Sequence, residues 1–354
     1  MIVRRRKRLI RDFNAGQYLD LFLAAAITAV LGIRAYLHLT GYPQVGGATL
    51  HVAHMLWGGL LMLLALILML TYLGRGVRQM AALVGGAGFG TFIDEIGKFV
   101  TQDNDYFYQP AVALIYVTLV LTYVAVRSIH REQIASPEEY LVNALQEIEN
   151  VAMNDLDQQE RDRALSYLEH GDPDEPMVVA LRDLLHQSSI VPTPRPHAIT
   201  RLRSRAVLGY RRLAKMPAFP RLVITFFVAQ LVLRVTHVTV LLFMPEAGLP
   251  LAAAMPSFRR AVEGFDFVDL AQLASTALGG LFVLLGVALI PRSRLSAFRM
   301  FHRSMLVSIF LTQVFVFYRE QWGALPILAF NLLVLAALHF VIDQEAARHA
   351  AARA

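Results

Sequence analysis

The sequence predicts an all-α integral membrane protein, and three observations carry that expectation. Hydrophobic residues make up 56% of the 354-residue chain. The mean hydropathy is +0.48, well above that of a soluble globular chain. Eight windows also approach the length a helix needs to cross about 30 Å of hydrocarbon, at about 18–39, 49–73, 80–100, 109–128, 221–243, 268–290, 298–318 and 324–343.

The basic residues orient these spans. Arg75 and Arg78, Arg127 and Arg131, and Arg292, Arg294, Arg299 and Arg303 fall in one set of connections, while the other set holds little beyond Arg259 and Arg260. The positive-inside rule then places both termini in the cytoplasm of a cell-membrane protein. The opening "MIVRRRKRLIRDF" has the basic start of a leader. The apolar run after it exceeds a signal h-region, so it reads as an uncleaved first span. A formal charge of +6 follows from cytoplasmic Lys and Arg and requires no nucleic-acid partner.

Three stretches divide the chain: a first membrane repeat over 1–131, a cytoplasmic helical insert over 132–220, and a second membrane repeat over 221–354. In the insert, "SPEEYLVNALQEIENVA" opens with a capping box, Ser136 with Glu139, and Pro137 at the first helical position. Leu141, Leu145, Ile148 and Ala152 form its expected apolar face, and two short helices follow, ending near Gly171 and Gln187. "VPTPRPH" is a stiff linker. Beyond it, Arg201, Arg203, Arg205, Arg211, Arg212 and Lys215 lie in a stretch with no acid. Such a strip suits a helix lying on the anionic inner leaflet, or positive-inside anchoring, and it offers a dock for the acidic half of the insert.

The two membrane halves read as a duplication of four spans each. "HMLWGGLLMLLALIL" aligns with "STALGGLFVLLGVAL", and "FIDEIGKF" with "FLTQVFVF". Asp94 then falls on Thr312, Glu95 on Gln313, His51 on Gln272 and His54 on Ser275. Ala82, Gly86, Gly90 and Asp94 recur every fourth position, a small-residue face of the kind that lets helix backbones approach in lipid.

Chemistry concentrates in the first repeat. From the 1.5 Å rise per residue, Asp94 lies roughly 9 Å below the outer end of its span, and His54 lies at a similar depth in its own. His51 is one turn from His54, and Arg34, with His38 above it, lies level with them. Glu95 and Lys98 adjoin Asp94, and Asp103 and Asp105 follow. Three readings stay open. A self-neutralising network sets Arg34 and Lys98 against the two acids. A divalent metal, zinc, manganese or iron, takes His51, His54, Asp94 and Glu95 as ligands, with Asp103 and Asp105 adding negative charge. A proton or ion pathway uses the same four side chains as carriers.

The absence of cysteine excludes disulfides, iron–sulfur clusters, thiolate zinc and a cysteine nucleophile. No nucleophile elbow, serine triad order or dinucleotide fingerprint occurs. The leading expectation is a transporter or permease with an outward-facing cation- or proton-binding site that handles a small ion. The alternative is a metal-dependent enzyme working on a lipid or lipid-linked substrate at the outer leaflet. A third reading is a membrane sensor or assembly partner that reports through the insert.

Overall fold

The computed structural model describes residues 10–41, 53–101, 108–129, 135–192, 209, 216, 218–247 and 266–351, without the side chains of 234, 235, 237–247 and 349–351. Among them the regular elements are helices, and no strand occurs. In chain order these are α1 (Ala15–Thr40), α2 (His54–Thr71), α3 (Arg75–Ile93), α4 (Ile96–Val100), α5 (Ala111–Ile129), α6 (Pro137–Ala152), α7 (Gln158–Leu168) and α8 (Pro176–Gln187). There follow α9 (Phe219–Ala247), α10 (Phe267–Leu289), α11 (Arg294–Val307), α12 (Gln313–Glu320) and α13 (Leu325–Ala351). Five helical segments among the described residues are long and apolar enough to cross a membrane: Ala15–Thr40, His54–Thr71, Ala111–Ser128, Phe267–Leu289 and Arg294–Arg348. This is the make-up of a multi-pass membrane protein.

Two compact units form, Met1–Asn104 with Thr118–Pro196, and Asp105–Val117 with His197–Ala354. In the first, α3 packs against both α1 and α2. Its glycines explain how. A Cβ at Gly86 or Gly90 would stand 2.2 Å from the carbonyl oxygen of Phe22 or Ala26 of α1. On another face, a Cβ at Gly88 would stand 2.7 Å from the Gly58 carbonyl oxygen of α2, and one at Gly58 equally close to Gly88. Backbone therefore meets backbone on two sides of α3, a contact only glycine permits. The same composition, with Arg75 and Arg78, keeps α3 out of the set of strongly apolar helices although it lies in an expected span. Outward positions of α2 carry Leu56, Leu60, Leu63, Ile67 and Leu70, all exposed. That apolar surface suits hydrocarbon and not water.

The insert helices α6 to α8 enclose a small core of Ala144, Leu156, Ala164, Leu168, Val178 and Leu185. The Ser136–Glu139 capping box forms as expected, and Asp157 with Glu160 makes a second one on α7. Leu141 and Ile148 pack on this core, but Leu145 and Ala152 are exposed. The apolar face is rotated because α6 turns Asn143 and Glu147, each 3% exposed, toward the start of α1. Asn143 accepts from the Phe13 N–H and donates to the Arg11 carbonyl, both at 2.8 Å. Glu147 accepts from Asn14 at 3.1 Å and pairs with Arg163 at 3.1 Å and Arg75 at 3.9 Å. Arg78 of α3 pairs with Asp12, and Phe13 sets its ring edge against Tyr140 and Tyr167. The acids of α6 thus meet Arg11, Arg75 and Arg163. The basic strip Arg201, Arg203, Arg205, Arg211, Arg212 and Lys215 lies outside the described residues.

In the second unit, Arg294–Arg348 is one apolar run that folds back on itself. A five-residue π segment, Ser308–Thr312, joins α11 to α12, and a 3-10 turn with Gln321 at φ 49° separates α12 from α13. Packing of α11 on α13 makes a hairpin of the expected spans seven and eight. Phe227 stacks on Phe301 at 4.4 Å, within a core of Phe298, Val283, Leu338 and Val341. The π segment frees the Ile309 carbonyl, which accepts from the Tyr116 hydroxyl at 2.6 Å.

Two outcomes test this packing. Gly90→Ala should destabilise the protein by about 1–3 kcal/mol in detergent unfolding, whereas Gly59→Ala, with nothing within 4 Å of the new Cβ, should stay near wild type. The Glu139 carboxyl is held below its usual range, first by the hydrogen bond from Arg11 and then by the Ser136 N–H, with desolvation opposing. Because this folded value is depressed, its contribution is complete above the ordinary glutamate value of about 4.3 and fades as pH falls through the folded one. Hydrogen exchange in α6 should accelerate over that acidic window, and less so in Glu139→Gln.

Candidate functional site

The helix ends of the first unit bring the charges together. α3 stops at Asp94, whose N–H still bonds the Gly90 carbonyl at 3.1 Å. Glu95, at φ −92° and ψ 13°, turns the chain into the short α4 that carries Lys98. The expected continuous span over 80–100 is therefore broken at the two acids. Asp94 is 0% exposed and Glu95 1%.

Arg34 reaches Asp94 from α1. Its Nε donates to Asp94 Oδ1 at 2.6 Å and its Nη2 to the Asp94 carbonyl oxygen at 2.9 Å. One guanidinium thus neutralises the side chain and occupies a carbonyl left open at the end of α3. The geometry follows from the small-residue stripe. Phe22 faces Gly86 and Ala26 faces Gly90, so Arg34 lies two turns beyond Ala26 and leans back toward the start of its helix, as helical side chains do.

Glu95 belongs to α2. Its Oε2 accepts from the Met55 N–H at 2.8 Å, in the first turn of α2, and its Oε1 lies 2.5 Å from Lys98 Nζ. A carboxylate at the positive end of a helix is favoured there. His54, the first residue of α2, lies between the acids: Nε2 is 3.1 Å from Asp94 Oδ2 and Nδ1 is 3.4 Å from Glu95 Oε1. The four carboxylate oxygens therefore face Arg34, His54, Lys98 and the Met55 N–H, with His54 sharing Glu95 Oε1 with Lys98.

The ring sets a chemical condition. A neutral imidazole carries one N–H and one lone pair. Nε2 meets Asp94 in a hydrogen bond and Nδ1 approaches Glu95 at ion-pair distance, and both nitrogens share a proton with a carboxylate only when the triad holds two protons. These sit as an imidazolium between two carboxylates, or as a neutral ring with one acid protonated. With a single proton, a lone pair faces a carboxylate.

Of the expected site residues, His54, Asp94, Glu95, Lys98 and Arg34 come together. His38, one turn beyond Arg34, is exposed in the last turn of α1. His51, Asp103 and Asp105 lie outside the described residues. Among the described residues no group of three or more His, Asp or Glu is arranged to hold a metal ion. Sequence reasoning missed the backbone N–H of Met55, whose only signal is that His54 opens a helix.

In the second unit, Gln313 is 1% exposed, donates to the Ala324 carbonyl at 3.0 Å and accepts from Asn331 at 3.4 Å. His339 bonds the Leu335 carbonyl through Nδ1 at 3.1 Å, so its Nε2 is the acceptor for His302 Nε2 at 3.2 Å. Outside the apolar helices, the Asp266 carboxyl is held below its usual range, first by the Asp269 N–H and further by Arg319.

Removing Arg34 alone strands a buried carboxylate, so Arg34→Met should cost about 3–5 kcal/mol of stability. The double variant Arg34→Met/Asp94→Leu should recover most of that loss in the same unfolding assay. Compared with models of protein families, with curated proteins and with solved structures, the chain matches none, and the chemistry of the site is read from its own geometry.

Proposed function

We propose that this protein is a transporter whose membrane site binds and releases a proton at His54, Asp94 and Glu95. Arg34 and Lys98 hold the two carboxylates in place. The observation that carries the reading is the ring of His54 set between two buried acids, an arrangement that accommodates a second proton. Intramembrane histidines and carboxylates in such company are the usual parts of proton relays. The same geometry weighs against a divalent metal at these residues, because a metal would have to displace Arg34, Lys98 or the Met55 N–H from the carboxylate oxygens. A metal-activated hydrolase at the outer leaflet is for that reason the weaker reading.

The topology that goes with this function has eight spans in two parallel four-span repeats, both termini cytoplasmic in the cell membrane, and the site toward the outer side. The basic strip at 201–215 lies on the anionic inner leaflet. Two features support the ends of the molecule being so assigned. Arg11 and Arg75 meet the insert at the starts of α1 and α3, and Arg34 and Asp94 lie toward the opposite ends of those helices. The break of α3 at Asp94 and Glu95 falls, in the alignment of the two halves, on Thr312 and Gln313, where the π segment ends.

Proton flux into proteoliposomes under an imposed pH gradient, followed with an internal pH-sensitive dye, tests the reading. His54→Gln and Asp94→Asn should each lower that flux at least about tenfold while the variants keep their helical circular dichroism. Undiminished flux in both would leave the cluster a purely structural ion network.

A further inference from the structure

The helical hairpin of the second unit carries a pair of imidazoles that the proton site does not use. His302 of α11 and His339 of α13 bring their Nε2 atoms to 3.2 Å. α11 packs along α13, and the residues just before the two histidines, Phe301 and Leu338, are buried in one core. That shared core fixes the spacing of the rings. Their centroids are 4.6 Å apart with planes at 84°, too close for rings that meet end to end. The nitrogens therefore approach at an angle.

That geometry suits more than a hydrogen bond. Two imidazoles on one tetrahedral zinc, each nitrogen about 2.0–2.1 Å from the ion, stand roughly 3.3 Å from each other. The other bond of His339 points the same way. Its Nδ1 donates to the Leu335 carbonyl at 3.1 Å, which leaves the lone pair on Nε2, and such a bond on the far nitrogen is the usual support of a metal-bound histidine. His302 donates its Nε2 proton to that lone pair. Moving this proton to Nδ1 of the same neutral ring presents two lone pairs and leaves the charge of the protein unchanged. His339 is exposed and His302 half-buried. Exposed Arg299 and Arg303 flank His302, and exposed Asp343 lies one turn beyond His339, so the pair stands among charged groups that keep water near.

We infer that His302 and His339 form a binding site for a divalent transition metal of the zinc class, with water completing the coordination, and that the ion staples α11 to α13. Imidazole suits zinc, copper and nickel, whereas magnesium and calcium prefer oxygen ligands. Two protein ligands, with two arginines opposing a cation, set the affinity at about micromolar. The pair belongs to the second unit and His54 to the first, so this inference does not depend on proton transport.

Thermal unfolding of the full-length protein in detergent, with zinc chloride as the probe, tests it. An ion that binds only the folded hairpin raises the midpoint by mass action, by a few degrees at about 100 times the half-saturating concentration. Wild type should show that rise with half-saturation at about 1–100 µM zinc, and magnesium chloride should leave the midpoint where it is. His302→Gln and His339→Gln, which keep a polar side chain, should each raise the half-saturating concentration at least about tenfold, while His54→Gln leaves it unchanged. If one of the two glutamine variants does not fold, the other carries the comparison, because either leaves the site a single ring. A wild type indifferent to zinc overturns the proposal. So does a zinc response undiminished in a folded hairpin variant, or one that vanishes in His54→Gln, since the ion would then sit elsewhere.

Discussion

A carboxylate with no exposed surface, Asp94, stands at the end of a glycine-lined helix. Withdrawing such an ion from water costs several kcal/mol even after the protein relaxes around it. Arg34 supplies the compensation, and it does so only because α1 and α3 lie close enough for Gly86 and Gly90 to touch the backbone of α1. A methyl group on either glycine pushes the helices apart, and the guanidinium then no longer spans the gap. Backbone packing and charge pairing are thus one constraint expressed at successive turns of the same stripe.

The two units place buried polar groups in different chemical states. Gln313 satisfies its amide with the Ala324 carbonyl and Asn331, and an amide needs no counter-charge and exchanges no proton at neutral pH. At the aligned positions of the first unit, Asp94 and Glu95 require Arg34, Lys98 and a histidine. Among the described residues the second unit keeps its ionisable contacts elsewhere, among them the His302–His339 pair and Arg319 with Asp266 and Asp269.

The stripe Ala82, Gly86, Gly90, Asp94 was legible in the sequence because a four-residue period survives any error in helix ends, and so was the common depth of Arg34, His54 and Asp94. His38 stands one turn beyond Arg34, as the same period places it. α1 ends three residues later at Gly41, whose left-handed conformation closes the helix, and His38 is exposed among the described residues. The break after Asp94 carries no proline and lies in a run still apolar on both sides, so pattern alone read one continuous span. Asn143 and Glu147 fall outside the apolar face expected at Leu141, Leu145, Ile148 and Ala152, and only the tertiary fold brings them against Phe13 and Asn14. His51, Asp103 and Asp105 lie outside the described residues.

That last contact has a consequence for biosynthesis. Asn14 and Glu147 are 133 positions apart, and Arg75 reaches the same carboxylate. A ribosome making the chain from its N-terminus completes α1, α2, α3 and α5 before the acidic helix α6 has emerged. The arginines at the helix starts therefore wait for their acidic partners until α6 is made, and the insert closes over them afterwards, like a clasp.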